Sequence, residues 1–208
     1  MAIPLAVRPT PSTSNAEEPQ PHRWLWTRDR YHLAGEHGVF QPDEHVELLE
    51  GEVFTMSPVG SRHSAAVYKA SRNLEALFGN AYIVRTEAPV ILSNLSEPEP
   101  DICVVSARDD LYADSHPVVS EVRLLIEVSE TTLNYDRGLK AISYAVAGIP
   151  EYWILDLVEE RLEIYRNPDP VIGYRVFELL TATDHAAALF AQDRQVAVKD
   201  LLPKLKTV

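Results

Sequence analysis

Pro100-Asp101-Ile102-Cys103-Val104-Val105 and Leu124-Leu125-Ile126-Glu127-Val128-Ser129 are the stretches that decide the fold of this chain, with Lys140 one helical segment further on. Ile102–Val105 and Leu124–Val128 are continuous apolar runs, the pattern of strands buried on both faces in the interior of a sheet. Pro100 fixes its own backbone angle and cannot donate to a ladder, so Pro100-Asp101 marks a strand start. Asp101 there reads either as a turn-bonding strand end or as a metal ligand. Glu127 sits between Ile126 and Val128, where an unpaired buried carboxylate is costly. It needs a partner, which is Lys140, an arginine or a divalent ion. Two carboxylates on neighbouring strand ends make a hard-oxygen site suited to Mg²⁺ or Mn²⁺. A nearby ammonium suits the anionic transition state of phosphodiester cleavage.

Working outward, Asn134 can cap a helix that runs to Ala147, with Gly148 after its last residue and Pro150 beyond. The alternative for Lys140 is an exposed pair with Asp136 one turn earlier, worth only about 0.3–0.5 kcal/mol. Upstream, Ser61 to Phe78 has the apolar spacing of an amphipathic helix, ended by Gly79-Asn80. Val46 to Met56 reads as a strand pair turning near Glu50-Gly51, and Thr27 to Gly35 as a short helix with Thr27 as N-cap. Ala81–Arg85, Pro89–Leu92, Tyr152–Asp156, Leu162–Arg166 and Tyr174–Leu179 are strand-like, while Ser106 to Ser120 is polar loop with a helical turn. The expectation is one α/β domain over residues 24–208, with a mixed central sheet flanked by helices.

The chain has 208 residues, enough for one substantial core and short for two. Residues 1–23, interrupted by Pro4, Pro9, Pro11, Pro19 and Pro21, read as a disordered or extended arm rather than a signal peptide. Trp24 and Trp26 can anchor the end of that arm by packing. No run approaches the ~18 apolar residues of a membrane span, so no membrane is expected. The single cysteine, Cys103, excludes an intramolecular disulfide and a cysteine-based zinc site, and its apolar surroundings make it a buried, inert thiol. These features fit a reducing cytoplasm. The net charge of −12 argues against a broad nucleic-acid face, because duplex binding draws on phosphate neutralisation. Contact with DNA then requires a local basic patch, for which Arg62, Lys69, Arg72, Arg85, Arg137 and Lys140 are the candidates. The alternative is that these are solvated surface charges.

Glu47-Leu48-Leu49-Glu50-Gly51-Glu52, His63, Pro100-Asp101, Ile126-Glu127-Val128-Ser129, Asp136, Lys140 and Gly148-Ile149-Pro150-Glu151-Tyr152-Trp153-Ile154-Leu155-Asp156 stand in an ordered series. That series resembles the Uma2 family, restriction-endonuclease-like proteins of the PD-(D/E)XK nuclease superfamily, from about Tyr31 to about Leu205. The resemblance implies a restriction-endonuclease-like domain and metal-dependent endonuclease activity on DNA. It implies metal ligation by Asp101, Glu127 and the Val128 carbonyl, with Glu47 as a further carboxylate and Glu50 as a turn residue. The usual superfamily lysine, two residues after the glutamate, is Ser129 here, and the resemblance places the lysine on the following helix as Lys140. His63 matches a family position; it is either a structural group or a contact for phosphate and proton transfer. Tyr144, one turn beyond Lys140, is expected to pack over the cleft, and Tyr152 and Trp153 to be core. Superfamily members often pair to cut both strands, so a homodimer is one arrangement the resemblance implies. Two rival readings stay open: a catalytically silent nucleic-acid-binding or regulatory module, and a hydrolase of small phosphate compounds.

Overall fold

Alternating side chains on three adjacent strands feed two separate hydrophobic layers, and this division organises the molecule. The computed structural model describes residues 22–41 and 43–203, so the arm expected at 1–23 lies outside the described residues except for His22 and Arg23. Six strands form one mixed sheet: β3 (Tyr82–Thr86), β4 (Ile102–Ser106), β5 (Val122–Ser129), β6 (Glu151–Asp156), β7 (Arg161–Asp169) and β8 (Gly173–Thr181), in that spatial order. Only β5 and β6 run parallel; the other neighbours are antiparallel. The parallel step needs a crossover. It is supplied by a helix in three consecutive pieces: α3 (Leu133–Tyr135), a π-helical turn (Asp136–Lys140) and α4 (Ala141–Ala147). Gly148, at φ 86°, ends the helix in a left-handed conformation that a Cβ would disfavour.

One sheet face carries Ile102, Val104, Leu124, Ile126, Trp153 and Leu155, packed against α2 (Ser61–Phe78) and the C-terminal α5 (Val198–Leu201). The opposite face carries Cys103, Val105, Leu125, Tyr152 and Ile154, packed against Ala141, Tyr144 and Ile149. Cys103 is buried as expected, and burial pushes its thiol up to about 12. Tyr152 and Trp153 are both core.

Outside the main sheet, β1 (Val46–Leu49) and β2 (Glu52–Thr55) form a hairpin whose two turn residues, Glu50 and Gly51, both have positive φ, the backbone that a tight hairpin turn demands. The chain preceding the hairpin closes over this turn: a Cβ on Gly51 would lie 2.8 Å from the Leu25 Cβ. Before the hairpin lies α1 (Arg28–Glu36), capped by the Thr27 hydroxyl. Trp26 packs with Phe40, and Trp24 stacks edge-on against Trp26.

Two local expectations are corrected. Pro89–Leu92 is not a strand: Ile91 makes one bridge to Val118, and its neighbours bond within a loop. Pro89, Pro98 and Pro100 lack the N–H groups a ladder would need. Helix α3 begins at Leu133 and not after an Asn134 cap: Thr132 stands at the cap position, its carbonyl accepts from the Tyr135 and Asp136 N–H groups, and its hydroxyl donates to the Asp136 carboxylate. Among the described residues no helix is long and apolar enough to cross a membrane.

Trp153 is fully buried between the sheet and its α2 layer, and its Nε1 donates to Glu151 at 2.9 Å. Trp153→Ala should therefore cost about 3–5 kcal/mol of folding stability, measured by urea unfolding, with secondary structure retained.

Candidate metal centre

The β4–β5 register places Ile102 opposite Ile126, so one step further Asp101 stands opposite Glu127. Pro100 ends the ladder there, and the Asp101 carboxylate takes over: its Oδ2 accepts from the Val128 N–H at 2.6 Å. The Asp101 N–H in turn lies 3.5 Å from Glu127 Oε2. Asp101 Oδ2 also meets His63 Nε2 at 3.1 Å, from the first turn of α2. One oxygen of Asp101 is thus anchored, while its Oδ1 accepts no hydrogen bond among the described residues.

Glu127 points to the opposite side of β5 from Ile126 and Val128, towards the crossover helix. It is 3% exposed, and its Oε1 accepts from Lys140 Nζ at 3.0 Å and from the Tyr144 hydroxyl at 2.7 Å. Its Oε2 has only the long contact with the Asp101 N–H. Burial pushes the Glu127 carboxyl well above its usual range; Lys140 opposes that, and Asp101, Asp136 and Glu47 add to it.

Lys140, 2% exposed, lies between two carboxylates, with Glu47 Oε2 at 3.4 Å completing the pair. The exposed contact with Asp136 considered above is not formed. Burial works against the ammonium, yet Glu127, Glu47 and Asp136 more than offset it and raise its pKa, so Lys140 stays charged. Both oxygens of Glu47 are engaged: Oε1 accepts from the Tyr135 hydroxyl at 2.9 Å, and Oε2 from the Glu99 N–H at 3.2 Å. Asp136, on the same face of the π-turn as Lys140, accepts from Thr132 at 2.7 Å, and burial raises its pKa against the effect of Lys140. π-turns of this kind recur at functional sites.

A cavity of about 510 Å³ opens over this cluster, and Glu47, His63, Asp101, Glu127, Val128 and Lys140 all line it. Tyr144 does not: it lies beneath Glu127 in the core, fully buried, because it shares the inward helix face with Lys140. Glu50 stays in its turn and bonds Ser96. Among residues that sequence reasoning passed over, Glu87 matters most. It follows β3, its N–H donates to the Asp101 carbonyl, and it joins His63 and Asp101 in offering ligand atoms within 4.8 Å of one another. Only the cross-strand register brings it there; nothing local in the sequence marks it.

The donor set fits a divalent cation. Asp101 Oδ1 and Glu127 Oε2 are open hard oxygens on register-adjacent residues, and the residues whose ligand atoms lie within 4.8 Å of one another are His63, Glu87 and Asp101, a group that does not include Glu127. The cavity also holds Glu99 and Glu130, so carboxylates outnumber its cations. Each of the other candidate cations has partners elsewhere. Arg62 donates to the Leu157 carbonyl, Lys69 to the carbonyls of Lys199 and Leu202, Arg72 to Glu75, Arg85 to His116 and Arg137 to Glu163.

Lys140→Met should cost about 3–5 kcal/mol of stability near pH 8, because it strands two buried carboxylates. Lys140 itself stays protonated across pH 5–8, so its own titration adds no pH dependence there. Lys140 holds the raised Glu127 carboxyl down, so Lys140→Met raises it further, and the variant gains more than wild type as pH falls through that range. The deficit of the variant should therefore shrink towards pH 5. Urea unfolding at the two pH values checks this, and an equal deficit at both would disprove the coupling.

A comparison with curated proteins gives no match. Among solved structures, one described as a putative nuclease belonging to DUF820, from Anabaena variabilis, is similar with a TM-score of 0.64 at 15% identity. The match covers 84% of this chain and 96% of that one, and at this identity it is a likeness of fold. The family model for Uma2, described as "Putative restriction endonuclease", matches residues 29–199. That span holds the hairpin with Glu47, the paired strands with Asp101 and Glu127, and the helix with Lys140, and the chain belongs to the Uma2 family.

Proposed function

We propose that the chain is a Mg²⁺- or Mn²⁺-dependent nuclease that hydrolyses DNA phosphodiester bonds. The observation that carries this reading is the pair Asp101 and Glu127: neighbours across a ladder, each with one oxygen anchored and the other left open on a cavity wall. Membership in a family described as "Putative restriction endonuclease" supports the class of chemistry.

In this reading Asp101, Glu127 and the Val128 carbonyl hold the ion. A bound divalent ion supplies Lewis acidity at the phosphoryl group and activates the attacking water. The Val128 N–H and His63 fix the Asp101 carboxylate, so its open oxygen keeps its direction. Lys140, held charged by its two carboxylates, orients water and balances negative charge; it is not the group that accepts a proton. Glu47 steadies that ammonium, and Tyr144 fixes Glu127 from below. His63 has its pKa lowered by burial but raised more by its hydrogen bond and charge interaction with Asp101, so it gains a proton more readily than a free imidazole.

The engaged arginines and lysines favour a second reading, hydrolysis of a small phosphate compound, which needs no basic tract. Purified protein, offered DNA and a small phosphodiester in Mg²⁺, Mn²⁺ or EDTA, separates the two. DNA cleavage is expected only with metal, and Asp101→Ala or Glu127→Ala should abolish it. Cleavage that persists in EDTA or in either variant rules out the mechanism, and turnover of the small ester with DNA intact selects the second reading. Melting curves test the site without substrate. Wild-type protein should gain about 2.7 kcal/mol at a metal concentration of about 100 Kd, and Asp101→Asn much less.

A further inference from the structure

Beside the first cavity lies a second, of about 440 Å³, and the two share His45, Val46 and Glu99 as a common wall. One side of it is aromatic. Tyr31 and Phe40 line it with ring centroids 5.5 Å apart, and Trp26 backs Phe40 at 6.2 Å. The Tyr31 hydroxyl is spent on the Val46 carbonyl, so what Tyr31 adds to the cavity wall is its ring and not a free donor.

Glu97 also lines this cavity, although it is only 2% exposed. Its Oε2 is taken by Arg28 Nε at 2.7 Å and His32 Nε2 at 2.8 Å. Its Oε1 is buried and has no hydrogen-bond partner among the described residues. A buried carboxylate oxygen without a donor is costly and calls for a partner. Arg28 already balances the charge of Glu97, so the missing partner is a neutral donor and not a second cation.

An unfilled acceptor next to aromatic faces fits a planar heteroaromatic ring that carries an amino group. Adenine, cytosine and guanine have one. Thymine has none, and its carbonyl oxygens flank a single N–H, so they would face the carboxylate unfavourably. We propose that the second cavity is a nucleobase subsite, which stacks the base against Phe40 and Tyr31 and selects it by an amino group donated to Glu97 Oε1. This rests on the phosphodiester-cleaving reading of the first cavity, whose shared wall makes the bound base a neighbour of the phosphate under attack.

Saturation-transfer NMR with free adenosine, guanosine, cytidine and thymidine in EDTA reads the subsite without turnover. The amino-bearing nucleosides should bind about tenfold more tightly than thymidine, and Phe40→Ala should weaken them about tenfold. Glu97→Gln should erase the preference. That variant also loses its pairing with Arg28, so its melting curve is recorded alongside, and Phe40→Ala decides the matter if Glu97→Gln does not fold. Equal binding of all four nucleosides, binding of none, or no effect of Phe40→Ala overturns the subsite. Oligonucleotide cleavage separates this idea from its parent. Metal-dependent cleavage with no base preference beside the cut overturns the subsite and leaves the nuclease standing. Nucleoside discrimination with no DNA cleavage supports the subsite and removes the nuclease.

Discussion

Burial of the Lys140 ammonium between Glu127 and Glu47 is the constraint from which the rest of the site follows. Desolvating three charged groups is expensive, and mutual attraction offsets that only when the remaining donors and acceptors are satisfied. Here they are supplied one by one. Tyr144 donates to Glu127, while Tyr135 and the Glu99 N–H donate to Glu47. These groups come from the N-terminal hairpin, the loop before β4, strand β5 and the crossover helix, which are distant in sequence. Satisfying one ammonium therefore fixes how the hairpin docks against the sheet. It leaves the cavity side with Asp101 Oδ1 and Glu127 Oε2 open and a surplus of negative charge, which is the electrostatic setting for a divalent cation.

The helix that carries the lysine also accounts for Ser129. Residues 127 and 129 point to the same sheet face, because side chains alternate along a strand. In this chain the crossover helix covers the face and brings Lys140 down onto Glu127, so position 129 carries a small buried residue under the helix. The π-helical turn aligns Asp136 and Lys140 inward together, and the Tyr152 hydroxyl bonds the Asp136 carbonyl within that turn. The cation that meets Glu127 thus comes from the crossover helix, through an irregular π-helical turn.

What could be read from residues alone follows the range of the interactions involved. The apolar runs around Ile102–Val105 and Leu124–Val128 announced β4 and β5, and Gly148 with Pro150 announced the end of the crossover helix, because those signals are local. The Glu50-Gly51 turn was legible for the same reason. Pro89–Leu92 misled because its apolar residues satisfy a strand pattern while three nearby prolines remove ladder donors. Tyr144 was placed over the cleft rather than under it, since spacing gives the helix face but not which side of Glu127 that face meets. Glu87 was invisible: only the antiparallel pairing of Thr86 with Ile102 puts it beside Asp101. The engagement of Arg62, Lys69, Arg85 and Arg137 depends on tertiary contacts between segments that no local pattern encodes, whereas the Arg72–Glu75 pair is a local i, i+3 contact on α2.

That engagement bears on how a nucleic acid would be held. Affinity for a duplex rises mainly by releasing counterions from phosphates, which takes free lysines and arginines. A chain of net charge −12, four of whose six candidate cations sit in ion pairs and the other two of which donate to neutral groups within the chain, has little of that term to offer. On the proposed reading, the attraction for a phosphate is concentrated at one point, the metal between Asp101 and Glu127. The remaining contacts must then be of a kind that charge does not govern, which is what stacking on Phe40 and Tyr31 and a hydrogen bond to Glu97 provide. Base stacking of this sort tracks single strands, whose bases are free to leave the helix. On the proposed reading, the net charge of −12, the internal engagement of the candidate cations and the aromatic second cavity would favour a short or unpaired stretch of polynucleotide over a long duplex footprint.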